Sequence, residues 1–253
     1  MCLVAFAWKT HPRWRLALLG NRDEHHERPT AALNSWPDRR VLAGRDLRSG
    51  GTWMGLGPDG RVAVVTNVRD GLSPAREGRS RGALPADFLD GPQSAADYTA
   101  TLVGDALAYP PFNLAVADAD ACHYLGNHPH PRQQAVPAGV HGMSNGGFDA
   151  DWPKTRRLRD ALEHWCTAGT EALDPLWAAL ADDTVAEDAA LPDTGVGLEL
   201  ERLLSSAFIR GSQYGTRAST IVLVDHAGQG QIHERRFGPE GVFEGRTSLH
   251  QAA

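Results

Sequence analysis

A cysteine at position 2 is the residue of this sequence best suited to covalent chemistry. A small side chain there permits removal of the initiator methionine, which leaves Cys2 as the new amino terminus. An α-amine with a pKa of roughly 7.7–8 is a competent general base near neutral pH, and a thiol near about 8.5 needs only modest help to ionise. One residue then supplies nucleophile and base together. The competing reading is a small buried residue that opens a strand. Two asparagines at expected strand ends, Asn67 and Asn145, offer uncharged amide donors that suit a developing oxyanion, although asparagine also serves simply as a turn former.

The elements around Cys2 sharpen this picture. Residues 2–10 and 14–21 read as two strands around a turn at His11-Pro12, and both are apolar on both faces. A half-exposed strand would alternate, so these are expected to be central strands covered above and below. If Thr10 pairs with Arg13, Cys2 lies opposite Asn21, with Cβ atoms about 5 Å apart. A register one residue longer or shorter places Arg22 or Gly20 there instead. Strand alternation sets Asn21 and Asp23 on one face and Arg22 and Glu24 on the other, unless a bulge intervenes. Asp23 is then expected to hold the α-amine or orient the thiol, and Arg22 to pair with an acid or a substrate carboxylate. Glu24 and His25-His26 read as a charged cluster at the sheet edge.

Further along, residues 22–50 suggest an extended loop with short strand pieces, and 52–56 with 61–68 a hairpin around Gly-Pro-Asp-Gly. Residues 69–82 lack core-forming side chains and read as a mobile, net positive loop. Helices are expected at 83–90, 94–108 and 154–166, the last opened by Trp152-Pro153. Strands follow at 112–117 and 121–125, with a short one ending at Met143-Ser144-Asn145. Residues 127–137 read as a proline-rich loop. Residues 171–201 hold nine acidic and no basic residues and read as a solvated helical face with a loop at 191–197. A last hairpin, 217–225 with 231–237, closes the chain.

Composition narrows the function classes. The 253 residues carry a formal net charge of −6, yet residues 1–82 hold 14 basic against 8 acidic side chains and the remainder 11 against 23. The basic first third suits a local anionic small-molecule ligand. Neither a basic helix nor an aromatic-interleaved patch marks a nucleic-acid binder. The longest uncharged apolar run, 2–8, falls far short of the ~20 residues of a membrane span, and it lacks the flanks of a secretory signal. Three cysteines without a C-x-x-C pair argue for a reducing, cytoplasmic setting and against a disulfide framework or structural zinc. Residues 1–253 are expected to form one domain, and the oligomeric state is not legible.

Taken in order, Met1-Cys2-Leu3, Asn21-Arg22-Asp23-Glu24, Arg28-Pro29, Gly51-Thr52-Trp53-Met54-Gly55, Thr66-Asn67, Ser80-Arg81-Gly82, Phe112-Asn113-Leu114, Ser144-Asn145, Trp152-Pro153-Lys154 and the run Tyr214 to Thr220 form a specific set. The sequence resembles the NRDE family, whose eukaryotic members are named for transport and Golgi organisation. The resemblance spans the chain from Cys2 to about Phe237. It implies an α+β fold, a four-layer α-β-β-α sandwich of two antiparallel sheets of the N-terminal-nucleophile hydrolase kind. More distantly, Cys2, Thr66-Asn67 and Ser144-Asn145 look like the nucleophile and oxyanion positions of choloylglycine hydrolases and penicillin V acylases. Those enzymes carry an arginine and an aspartate three apart near the end of the second strand, whereas Arg22 and Asp23 are adjacent here.

On this footing the expected catalytic set is Cys2, Asp23, Asn67 and Asn145, and the substrate-binding set is Asn21, Arg22, Trp53 and Arg217. The expected activity is hydrolysis of a non-peptide amide or thioester with neither metal nor cofactor. The alternative is a non-catalytic carrier of haem or of acyl-CoA or lipid, since family members are associated with haem trafficking and acyl-CoA metabolism. Haem iron would then take Cys2 or a histidine as ligand.

Overall fold

The computed structural model describes residues 2–74 and 77–251, with Cys2 described by its backbone alone. Two antiparallel sheets lie face to face. The first comprises β1 (Cys2–Trp8), β2 (Trp14–His25), β10 (Gly139–Met143), β11 (Tyr214–Asp225), β12 (Gly230–Phe237) and β13 (Phe243–Gln251), in the order β10-β1-β2-β11-β12-β13. The second runs sequentially through β3 (Thr30–Ser35), β4 (Leu42–Asp46), β5 (Met54–Gly57), β6 (Arg61–Asn67), β7 (Phe112–Ala117), β8 (Cys122–Gly126) and β9 (Arg132–Ala135). Helices α1 (Ala83–Asp90) and α2 (Ala95–Val103) cover the outer face of the second sheet. Helices α3 (Pro153–Ala168) and α4 (Asp174–Leu180) cover that of the first, and α5 (Leu198–Leu203) lies beyond them in sequence.

Three apolar layers hold these four together. Val4, Phe6, Leu16, Leu18, Leu56, Val64 and Val222 fill the space between the sheets. Leu3, Ala5, Leu19 and Ile221 point the other way, onto Leu158, Leu162, Trp165 and Leu176 of the helices. Ala63, Val65, Leu114 and Leu125 meet Leu84, Phe88 and Leu89 on the far side. Strands β1 and β2 are therefore buried on both faces, as their unbroken apolar runs require. Among the described residues no helix is long and apolar enough to cross a membrane.

The β1–β2 register differs from the two-residue turn expected at His11-Pro12. Lys9 takes a left-handed φ of 53°, and its N–H closes the connection on the Arg15 carbonyl at 2.8 Å. The His11 ring nitrogen Nδ1 accepts from the Arg13 and Trp14 N–H groups at 3.1 and 3.2 Å. The histidine thus completes a wider loop, and Cys2 pairs with Arg22 while Leu3 pairs with Asn21. Two polar edge strands, β9 and β13, form where a loop and no strand were expected. The 171–201 stretch is helical only in α4, the start of α5 and a single 3-10 turn. The 69–82 segment is anchored rather than loose at its ends: Arg69 N–H bonds the Asn145 carbonyl, Gly71 N–H the Thr194 carbonyl, and the Gly82 carbonyl accepts from Thr52 N–H.

Candidate functional site

A cleft of about 330 Å³ opens where the C-terminal ends of β2 and β6 face the 78–82 segment. Arginines 22, 28, 79 and 81 line it together with Asp23, Glu24, Asp46, Trp53 and Asn67. The end of β2 supplies the central group. Arg22 is 5% exposed, lies with its guanidinium 4.7 Å from the Trp53 ring centroid, and donates through Nη2 to Asp46 at 3.2 Å. Its Nη1 is buried and has no hydrogen-bond partner among the described residues. Glu24 lies on the same side at 3.7 Å, as strand alternation requires.

Asp46, at the end of β4, organises this corner. It accepts from Arg28 Nε at 2.6 Å and from the backbone N–H groups of Arg48 and Ser49 at 3.1 and 3.0 Å. Burial alone would raise its pKa, but the Arg28 bond, the Ser49 N–H and the nearby guanidinium charges overcome that and hold the carboxyl below the usual range. Asp23 behaves in the opposite way. It is 1% exposed, and burial pushes its pKa up against the opposing pull of the Lys154 charge and the Thr216 hydroxyl, which donates at 2.7 Å.

Asn21 takes no part in the cleft. Its amide nitrogen donates to the Leu180 and Ala207 carbonyls at 2.8 and 2.7 Å, and its oxygen accepts from Ser219 at 2.6 Å. It ties β2 to the helical layer, so the substrate-binding role expected of it gives way to an anchoring one. Arg217 is the extra residue where β11 slips against β2, between the Thr216–Asp23 and Ala218–Arg22 pairs. The bulge re-aims its side chain. Arg217 Nη1 donates to the carbonyls of His25, His26 and Arg28 at 3.0, 3.1 and 3.3 Å. It forms the wall of a second, smaller cavity beside Arg22 and Trp53 rather than of the main cleft.

Asn67 lines the cleft, and Asn145 stands behind it. The Asn145 side chain is fully buried, and its amide donates to the Asn67 carbonyl at 2.9 Å. A polar relay fixes this junction. Thr66 Oγ1 donates to the Ser144 carbonyl at 2.6 Å, and the Asn113 amide donates to the Gly146 carbonyl at 2.8 Å. The Tyr124 hydroxyl donates to Asn113 Oδ1 at 2.7 Å, which orients that amide, while burial raises the phenol to about 12 and keeps it protonated. Strand β10 pairs with β1 as far as Val4–Met143, and Ser144 and Asn145 follow directly after that pair. The Cys2 side chain, expected as the nucleophile, lies outside the described residues. The site thus joins Arg22, Asp23, Trp53 and Asn67, with Asn145 in support. It adds Arg28, Asp46 and Asn113, to which sequence reasoning gave no role, and Arg81, which falls in the 69–82 loop whose arginines were expected, as an alternative to Arg22, to bind an acidic part of the substrate. Arg28, Arg81 and Asn113 occur within family motifs, whereas Asp46 sits in a polar stretch that carries no signal.

Two facing antiparallel sheets between helical layers, with the second residue of the chain beside the arginine-lined cleft, make up the fold of the N-terminal-nucleophile hydrolases. The crystal structure of the C2A mutant of conjugated bile acid hydrolase from Clostridium perfringens shares it, with a TM-score of 0.59 over 98% of this chain and 92% of that one at 7% sequence identity. The chain belongs to the Transport and Golgi organisation 2 family, whose signature matches residues 1–239. It is 31% identical to the Transport and Golgi organization protein 2 homolog of Bos taurus, over 99% of this chain and 98% of that protein. The Homo sapiens homolog is likewise 31% identical over the same shares.

Proposed function

We propose that this protein is an N-terminal-nucleophile hydrolase that cleaves a non-peptide amide or thioester in a small substrate bearing an anionic group. The observation that carries this reading is the convergence, at one end of both sheets, of the Cys2–Arg22 backbone pair, the Asn67 amide and a cluster of cleft arginines. In the proposed reaction Cys2 Sγ forms a bond to the carbonyl carbon, and the Cys2 α-amine takes the thiol proton. The Asn67 amide stabilises the oxyanion, with Asn145 holding the Asn67 backbone in place. Collapse of the intermediate breaks the C–N or C–S bond, and the amine returns the proton to the leaving group. Water then hydrolyses the acyl-thioester. Asp23, buried at the end of β2, orients the amine.

A cleft of this size walled by guanidinium and carboxylate groups suits a compact acid better than a large apolar plane, which favours the hydrolase over a haem carrier. The test combines intact-mass measurement on protein from its native host with turnover of a panel of amide- and thioester-linked acids. Loss of Met1, together with turnover by the wild type that Cys2→Ala abolishes while melting normally, is the expected result. A retained methionine, or full activity in Cys2→Ala, overturns the reading.

A further inference from the structure

Behind Trp53 lies the second cavity, about 170 Å³, between the edge strand β3 of one sheet and strands β11 and β12 of the other. The Arg22–Trp53 stack separates it from the main cleft, and both residues line both spaces. Trp53 fits there because residue 44 is glycine: a Cβ at Gly44 would come within 2.4 Å of the indole tip. Arg22, Arg217 and Arg236 line this chamber together with Glu234 and Glu244, and two of the guanidinium groups keep unspent hydrogen-bonding capacity. Arg22 Nη1 is buried without a partner among the described residues. Arg217 bonds only backbone carbonyls, through Nη1, and forms no ion pair with any described carboxylate. Burial and then the Arg22 charge work against protonated Arg217, and the Glu244 and Glu24 charges offset them only in part. An unsatisfied, buried guanidinium beside a second one is costly unless an anion fills the gap.

We infer that this chamber is an oxyanion subsite separate from the main cleft, in which Arg22 and Arg217 hold the terminal carboxylate or phosphate of a ligand. Arg22 pairs with Cys2 on one flank and with Ala218 on the other. Two strand spacings therefore separate the Cys2 and Ala218 backbones by about 10 Å. An acidic terminus held here would thus lie across Arg22 from Cys2, a statement that rests on the hydrolase reading, whereas the anion binding does not. A ligand of this kind is polar at both ends, which sets it apart from simple long-chain acyl compounds.

Calorimetric titration of the protein with inorganic phosphate and, separately, with succinate at low ionic strength tests the subsite and tells the two oxyanion chemistries apart. Wild type and Cys2→Ala are expected to bind at least one of the two with equal affinity. Arg217→Gln is expected to weaken binding at least tenfold. Because Arg217 also braces three carbonyls, Ala32→Asp, which plants a carboxylate on the chamber wall and leaves every arginine in place, is the deciding variant and is expected to weaken binding equally. Absence of binding by wild type, unchanged affinity in Ala32→Asp, or loss confined to Arg28→Gln in the main cleft overturns the proposal. Failure of Cys2 chemistry would show in turnover and leave this titration untouched.

Discussion

Asp46 illustrates how much of the site's electrostatics rests on a single carboxylate. Its pKa in the folded state lies below the unfolded value, so its contribution to stability is complete above pH about 4 and fades as the pH falls through the lower folded value. Asp46→Asn is expected to cost about 1–3 kcal/mol at pH 7, because it weakens bonds to Arg22, Arg28 and two backbone N–H groups. The difference from wild type should shrink near pH 3, and urea unfolding at the two pH values measures it. A constant difference would mean that the charge on Asp46 does not matter. Residue types alone pointed to Arg22, Asp23 and Asn67 as cleft residues. They did not reveal that Asn21 faces the helices, or that the bulge at Arg217 turns its side chain toward backbone carbonyls. Such outcomes depend on partners 150 or more positions away, which no local pattern encodes.

At the scale of elements, apolar runs announced the central strands and an amphipathic pattern announced α3, because burial writes itself into sequence as periodicity. Strands β9 and β13 left no such mark: as polar edge strands they are held by backbone bonds on one side only, and their side chains answer to solvent. The β1–β2 register was left open between three choices, since it turns on His11 capping two N–H groups within the loop. The loop before β5 makes a sharper demand. A Cβ on Gly51 would sit 2.3 Å from the backbone of Gly82, so the two segments that frame the cleft touch through glycine. Gly51→Ala should cost about 1–3 kcal/mol or more by forcing these backbones apart. A variant with wild-type urea midpoint would show that the crossing is looser than described.

For the molecule as a whole, the layer between the sheets is one of three apolar layers that hold the fold. Leu56, fully buried there, should cost about 2–5 kcal/mol on replacement by alanine. The measurement is chemical unfolding followed by far-UV circular dichroism, and a loss below 1 kcal/mol would imply that the sheets close up around the void. The four-layer plan itself was legible through the family motifs, whose order along the chain tracks the strand ends where the cleft forms. Its apolar layers supply the adhesion, and they leave the open end of the sandwich free for polar chemistry.

At that open end a few side-chain stitches tie the sheets together: Thr66 and Asn113 from one sheet reach the 144–146 segment of the other, and Asn145 reaches back to Asn67. The Asn67 amide is thereby geared to how the two sheets slide past one another. A shift of a few tenths of an ångström along that seam would detune the donor while every helix and strand stayed intact.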